Sequence, residues 1–320
     1  MIYPEDLPQT HLPAMPTTPT LKETLWMYVF SSILLVTLGS LVQHLHLLSG
    51  LVISELGFVI APVLLFTCSR QYHVKRTFYL TAIRVKTALL AMLVSSAAFI
   101  LVGIIAALQE MIFPRSQDYQ EIWDAILTQF HQIPLAATLL LISLLPGVCE
   151  ELLFRGFLLH GLRKKLSNAS AIIIVGILFG AFHLDPYRFL PVTLLGVLFG
   201  YMVVRTGSIL TGMVAHSTNN AIAMLISYAV FRVQSQGISI PDPPTSAEQL
   251  YAPEALLALL PIIGIALLVF VLGLRALPHL QPVLEEPGQD QNQDIPSLSF
   301  EIDEIMETEE ENSDESTESL

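Results

Sequence analysis

Glu150 and Glu151 stand side by side in a stretch that otherwise reads as a membrane span, Leu135 to Leu153. One carboxylate at that depth costs roughly 2.5–3.5 kcal/mol, so a pair marks a polar site within the membrane. Six further polar residues fall in apolar stretches: Glu55, Arg155, His183, His216, Asn219 and Asn220. Residues four apart share a helix face, and neighbours are turned apart by about 100°. Glu151 and Arg155 therefore pair, which removes the cost of an unpaired charge on each. Glu150 is left as the free carboxylate. His216 shares a face with Asn220, and His183 with Phe179, a ring expected to pack and not to react.

A carboxylate and a neutral imidazole can take a proton from water and make it a nucleophile. A second imidazole and an amide N–H can hold the charge that grows on an attacked carbonyl oxygen. Alternatively, Glu150, His183 and His216 offer one oxygen and two nitrogens, the donor set of a catalytic zinc with an open position. Both routes hydrolyse an amide with activated water, and the residues alone leave the choice open. His-Glu-x-x-His, Gly-x-Gly-Asp and Gly-x-Ser-x-Gly are all missing, which disfavours serine and aspartyl chemistry. Cys149 precedes Glu150, but a thiol in apolar surroundings is inert.

The elements that must position these groups are membrane helices. The 320 residues are 53% hydrophobic and 13% charged, with mean hydropathy +0.62. That is the composition of an all-α polytopic membrane protein. Runs long enough to cross a ~30 Å core predict eight spans near 25–45, 50–68, 87–108, 134–160, 169–186, 189–204, 209–231 and 255–274. At ~1.5 Å per helical residue, Glu150 lies about 20 Å from the basic edge at Arg163. His183 lies at about 21 Å, His216 at about 16 Å and Asn220 at about 22 Å. Three helices thus bring their polar residues to one layer. Gly176, Gly180, Gly196 and Gly200 have the spacing of close helix crossings.

Of the 15 basic residues, 11 fall in connections on one side and three (Arg115, Arg188, Arg232) on the other. This bias predicts an integral protein of the cell (inner) membrane with both termini cytoplasmic. The segment 70–86 is expected to be an interfacial helix, and 110–132 an extracytoplasmic loop. Residues 1–23 form a Pro-rich leader, 24–276 the membrane domain, and 277–320 an acidic tail. From position 276 onward there are 14 acidic residues and no Lys or Arg, so the rest of the chain is close to neutral. The tail has the composition of a disordered cytoplasmic segment. No basic face suits nucleic acid, and two cysteines, Cys68 and Cys149, exclude a disulfide framework.

Three motifs then carry a resemblance. Glu150-Glu-Leu-Leu-Phe-Arg155 resembles the Glu-Glu-x-x-x-Arg motif of the CPBP (Abi) intramembrane proteases. Phe179-Gly-Ala-Phe-His183 is similar to their Phe-x-x-x-His, and His216-Ser-Thr-Asn-Asn220 to their His-x-x-x-Asn. The family includes type II CAAX prenyl endopeptidases and bacteriocin-processing or immunity proteins. The resemblance covers 134–231 and implies an eight-helix fold that cleaves peptide bonds in or near the bilayer. It implies that Glu150 and His183 activate water, that His216 and Asn220 stabilise the oxyanion, and that Glu151 and Arg155 support them. Asn220 is favoured over its neighbour Asn219 on the motif. Family members have been read as metalloproteases and as glutamate-type enzymes, so a divalent metal such as zinc stays open. Substrates would be membrane-embedded or lipid-associated proteins or peptides. The competing reading is a non-catalytic protein, a proton-coupled transporter or an immunity or scaffold protein, using the buried Glu/His cluster. Glu55, alone in the second span, is read as a helix–helix hydrogen bond or a protonated acid.

Overall fold

The computed structural model describes residues 18–238 and 253–279, the latter with side chains from 259. The leader before 18, the stretch 239–252 and the acidic tail from 280 lie outside the described residues. Everything regular among the described residues is helical: α1 (Leu21–Leu45), α2 (Leu47–Ser69), α3 (Val85–Ile112), α4 (Gln117–His131) and α5 (Leu135–Arg163) come first. They are followed by α6 (Asn168–Phe182), α7 (Phe189–Thr206), α8 (Ile209–Ser235) and α9 (Pro253–Ala276). Seven are long and apolar enough to cross a bilayer, and the shorter α6 is equally apolar. The remaining expected span, 169–186, is the 15-residue α6, which is shorter than a span and ends at Phe182, before His183. Helices suit this setting because every backbone N–H finds its carbonyl within the segment, where no water would serve.

The helix ends follow local chemistry. Thr20 and Glu23 form a reciprocal capping box at the start of α1. Ser116, Ser167 and Ser208 cap α4, α6 and α8 through their hydroxyls. Gly207 ends α7 with a left-handed backbone, φ 64°. Outward faces carry Leu25, Trp26, Phe30, Ile33, Leu65 and Leu89, all exposed. Such a belt suits lipid and would be a liability in water.

α5 is the central helix. Half of its most apolar window is buried, the largest share among the seven long spans. Leu153, Phe154, Phe157, Leu158 and Leu159 are buried in one cluster with Val59 and Val63 of α2, Val175 and Phe179 of α6, and Ile209 of α8. A second cluster joins Ala91, Val94 and Ala98 of α3 to Phe199 and Met202 of α7 and Ala215 of α8. α6 and α7 cross closely because Gly176 meets Gly196: a Cβ on Gly196 would lie 3.0 Å from Gly176 Cα. The small-residue spacing anticipated this crossing.

Two expectations need correction. The segment 70–86 holds only one helical turn, Val74–Thr77, and not an interfacial helix. Beyond it the chain is pinned to the start of α8: Ile209 N–H donates to Tyr79 O and the Ser208 hydroxyl to Thr81 O. The polar stretch 110–132 contains α4, an amphipathic helix rather than a loop. Its polar composition concealed an apolar stripe that docks His131 on Phe231 of α8, ring centroids 4.3 Å apart.

Candidate active site

α5 departs from regular geometry where the polar residues sit. It holds two π-helical segments, Leu140–Leu144 and Leu152–Leu158, which bracket Glu150 and Glu151. Such segments shift the faces of a helix and recur at functional sites. Pro146 has no N–H to give Ile142 O, the carbonyl four residues back. Asn220 of α8 fills the gap, donating from Nδ2 to Ile142 O at 3.1 Å. One residue on, the Ser143 hydroxyl donates to Ser217 O at 2.6 Å. Gly147 lets α8 approach, since a Cβ there would strike Ser217.

Arg155 is fully buried and spends its fork on two partners. Nη1 donates to Glu151 Oε1 at 2.6 Å and Nη2 to Gly196 O at 2.8 Å. Its guanidinium carbon lies 4.4 Å from the Phe179 centroid and 5.5 Å from that of Phe199. Aromatic faces and a paired carboxylate are what such a cation needs once water is gone.

His216 is buried between the same rings. It stacks on Phe199 with centroids 5.2 Å apart and meets Phe179 edge-on at 5.5 Å. Its Nδ1 lies 3.0 Å from Glu151 Oε1, and its Nε2 lies 3.8 Å from Glu150 Oε2. The two glutamates were expected to point apart. Instead both reach one imidazole, because the ring presents a nitrogen at each end and α8 crosses α5 over the pair. The Glu150 contact is too long for a direct hydrogen bond, and Glu150 Oε2 is buried without a partner.

His183 lies just past the end of α6, with Nδ1 2.9 Å from Phe179 O. Its ring meets Phe179 edge-on at 5.1 Å, so Phe179 has a histidine on each of two sides. The chain then turns sharply at Leu184, φ 50°. Asp185 fixes the turn, its Oδ1 accepting from Tyr187 N at 3.0 Å and its Oδ2 from the Tyr119 hydroxyl of α4 at 2.7 Å. Burial and this bond push the Tyr119 phenol up to about 12.

Glu150, Glu151, Arg155 and His216 thus form one cluster. Asn220 lies a turn along α8 with one N–H engaged at Ile142 O. Asn219 is the more buried of the two asparagines, and its Oδ1 has no partner. Among the described residues, no three His, Cys, Asp or Glu side chains are grouped to hold a metal ion. The zinc donor set named above does not fit this arrangement, and no step below passes through a metal.

Residues 132–222 match the family model for type II CAAX prenyl endopeptidase Rce1-like domains. The chain carries a CPBP-family domain. The match runs from before α5 into α8 and includes all three motifs. The match supports, in general terms, a protease of the CAAX type. Neither curated proteins nor solved structures gave a significant match.

Two residues on helices packed against the Glu150–Glu151 stretch escaped the motif reading. Gly212, one turn before His216, faces Glu151: a Cβ there would lie 2.6 Å from Glu151 Oε2. Its signal was available in the four-residue spacing from His216. Glu55 comes from α2, outside the matched domain, and nothing in its local sequence linked it to Glu150.

Proposed function

We propose that the protein is an intramembrane endopeptidase that hydrolyses peptide bonds of membrane-associated proteins or peptides with water activated at Glu150. The observation that carries this reading is the imidazole of His216 set between Glu150 and Glu151 inside an Rce1-like domain. Glu150 takes a proton from water as the hydroxyl oxygen bonds to the scissile carbonyl carbon. His183 orients the water through Nε2, its Nδ1 being held at Phe179 O. The new oxyanion accepts from His216 Nε2–H and from the second N–H of the Asn220 amide. Collapse breaks the C–N bond, and Glu150 returns its proton to the leaving amine. No covalent enzyme intermediate forms.

Glu151 and Arg155 act behind this line. His216 gives Nδ1–H to Glu151, which fixes the ring so that its other N–H faces Glu150. Arg155 neutralises Glu151, so the whole cluster carries no large excess charge. The bias of the basic connections supports both termini being cytoplasmic. The test is cleavage of a peptide panel, prenylated and unprenylated, by detergent-purified full-length protein beside folded Glu150→Ala and His183→Ala variants. Loss in both variants supports the reading, and unchanged cleavage contradicts it. A parallel chelator series is expected to leave the wild-type rate unchanged.

A further inference from the structure

A third carboxyl group lies on a helical segment packed against the Glu150 stretch, outside the matched domain. Glu55 lies in α2, in a π-helical segment, Ser54–Ile60, that packs against the Leu145–Glu151 stretch of α5. Glu55 Oε2 is buried and has no hydrogen-bond partner. Two buried acceptors without a donor, Glu55 Oε2 and Glu150 Oε2, therefore belong to two stretches packed against each other.

Leaving a buried polar atom unpaired costs about 1–3 kcal/mol, and more if it is charged. Two like charges in a dry site cannot both be held, and one proton shared between the carboxyl groups resolves both problems. The other groups facing the pair do not change this. Cys149 is a buried thiol, Arg155 commits both Nη groups to Glu151 and Gly196 O while its Nε has no partner, and His216 is committed to Glu151 through Nδ1.

We propose that Glu55 is a positioning residue for Glu150, its carboxyl O–H donating to the Glu150 carboxylate and fixing the oxygen that faces the water. The proposal rests on the peptidase reading for its role in catalysis, but the carboxyl pair itself does not. Glu55 would then be the contribution of α2 to a site otherwise built by α5, α6 and α8. It adds no step of its own: the proton it shares stays between the two carboxyl groups through the cycle.

Two measurements on detergent-purified full-length protein test this. The first is an infrared pH titration of protonated carboxyl groups in wild type, Glu55→Gln and Glu150→Gln. Wild type is expected to titrate in two coupled steps, and each variant in one step displaced by at least about one pH unit. A Glu150 titration unmoved by Glu55→Gln would overturn the pairing, whether or not any peptide is cleaved. The second compares Glu55→Ala with Glu55→Gln in cleavage. Alanine should lower kcat roughly tenfold or more with KM unchanged, and glutamine, which keeps an N–H donor, should restore most of it. Folded Glu55→Ala with wild-type kcat would overturn the role in positioning. Failure of the peptidase reading would show separately, as cleavage indifferent to Glu150.

Discussion

His216 Nδ1 lies 3.0 Å from Glu151 Oε1, the same oxygen that Arg155 holds at 2.6 Å. That one acceptor fixes the imidazole and turns its Nε2 toward Glu150. The arrangement has the logic of a base oriented by a buried carboxylate, here with an arginine behind the carboxylate. Arg155, Glu151 and His216 are held by packing and by each other, so the imidazole needs little reorganisation during a reaction.

Removing Arg155 should be more damaging to the fold than to any single contact. Arg155→Met leaves Glu151 buried without its cation, which costs about 3–5 kcal/mol. Arg155→Lys should rescue little, because one ammonium cannot match a fork that spans Glu151 Oε1 and Gly196 O. The double variant Arg155→Met with Glu151→Leu should recover thermal stability relative to Arg155→Met, yet stay inactive because His216 has lost its acceptor. Thermal unfolding and peptide cleavage on the same samples check this.

Gly212→Ala should lower both stability and activity. The added methyl would lie 2.6 Å from Glu151 Oε2 and displace the carboxylate from His216, an overpacking cost of about 1–3 kcal/mol. Gly103→Ala on α3 is the control, since nothing lies within 4 Å of the added atom. There helix propensity should prevail, raising stability by up to about 1 kcal/mol.

Acid should loosen α4. Burial holds the His131 imidazole below its ordinary value of 6.5, against Phe231 and with Nε2 3.1 Å from Ser227 Oγ. The unfolded or undocked state therefore binds the proton first as pH falls. The docking contribution is complete above 6.5 and is lost below it, as pH falls through the depressed value. Protection factors of the α4 amides, corrected for the intrinsic pH dependence of exchange, should fall between pH 8 and pH 5, and His131→Gln should flatten that dependence.

The spans were legible because a bilayer demands about 20 apolar residues in a row, and little else satisfies that pattern. The i,i+4 pair of Glu151 and Arg155 was legible because it lies within one helix, where spacing fixes proximity. What spacing could not give was the relation between helices. The two π-helical segments of α5 altered its faces, and both glutamates came to serve one histidine. Glu55 belongs to a different helix, and the packing of its segment against the Glu150 stretch could not be read from sequence distance. α4 escaped for another reason: its polar residues dominate its average composition, and only its stripe docks.

The most direct measurement is a double-mutant cycle in peptide cleavage with wild type, Glu150→Gln, His216→Ala and both together, each confirmed as folded. The account predicts that each single variant loses roughly 10²–10⁴-fold in kcat. It also predicts that the double variant loses little more than the worse single one, because the two groups act as a unit. Losses that multiply, or a Glu150→Gln protein that cleaves at the wild-type rate, would contradict it.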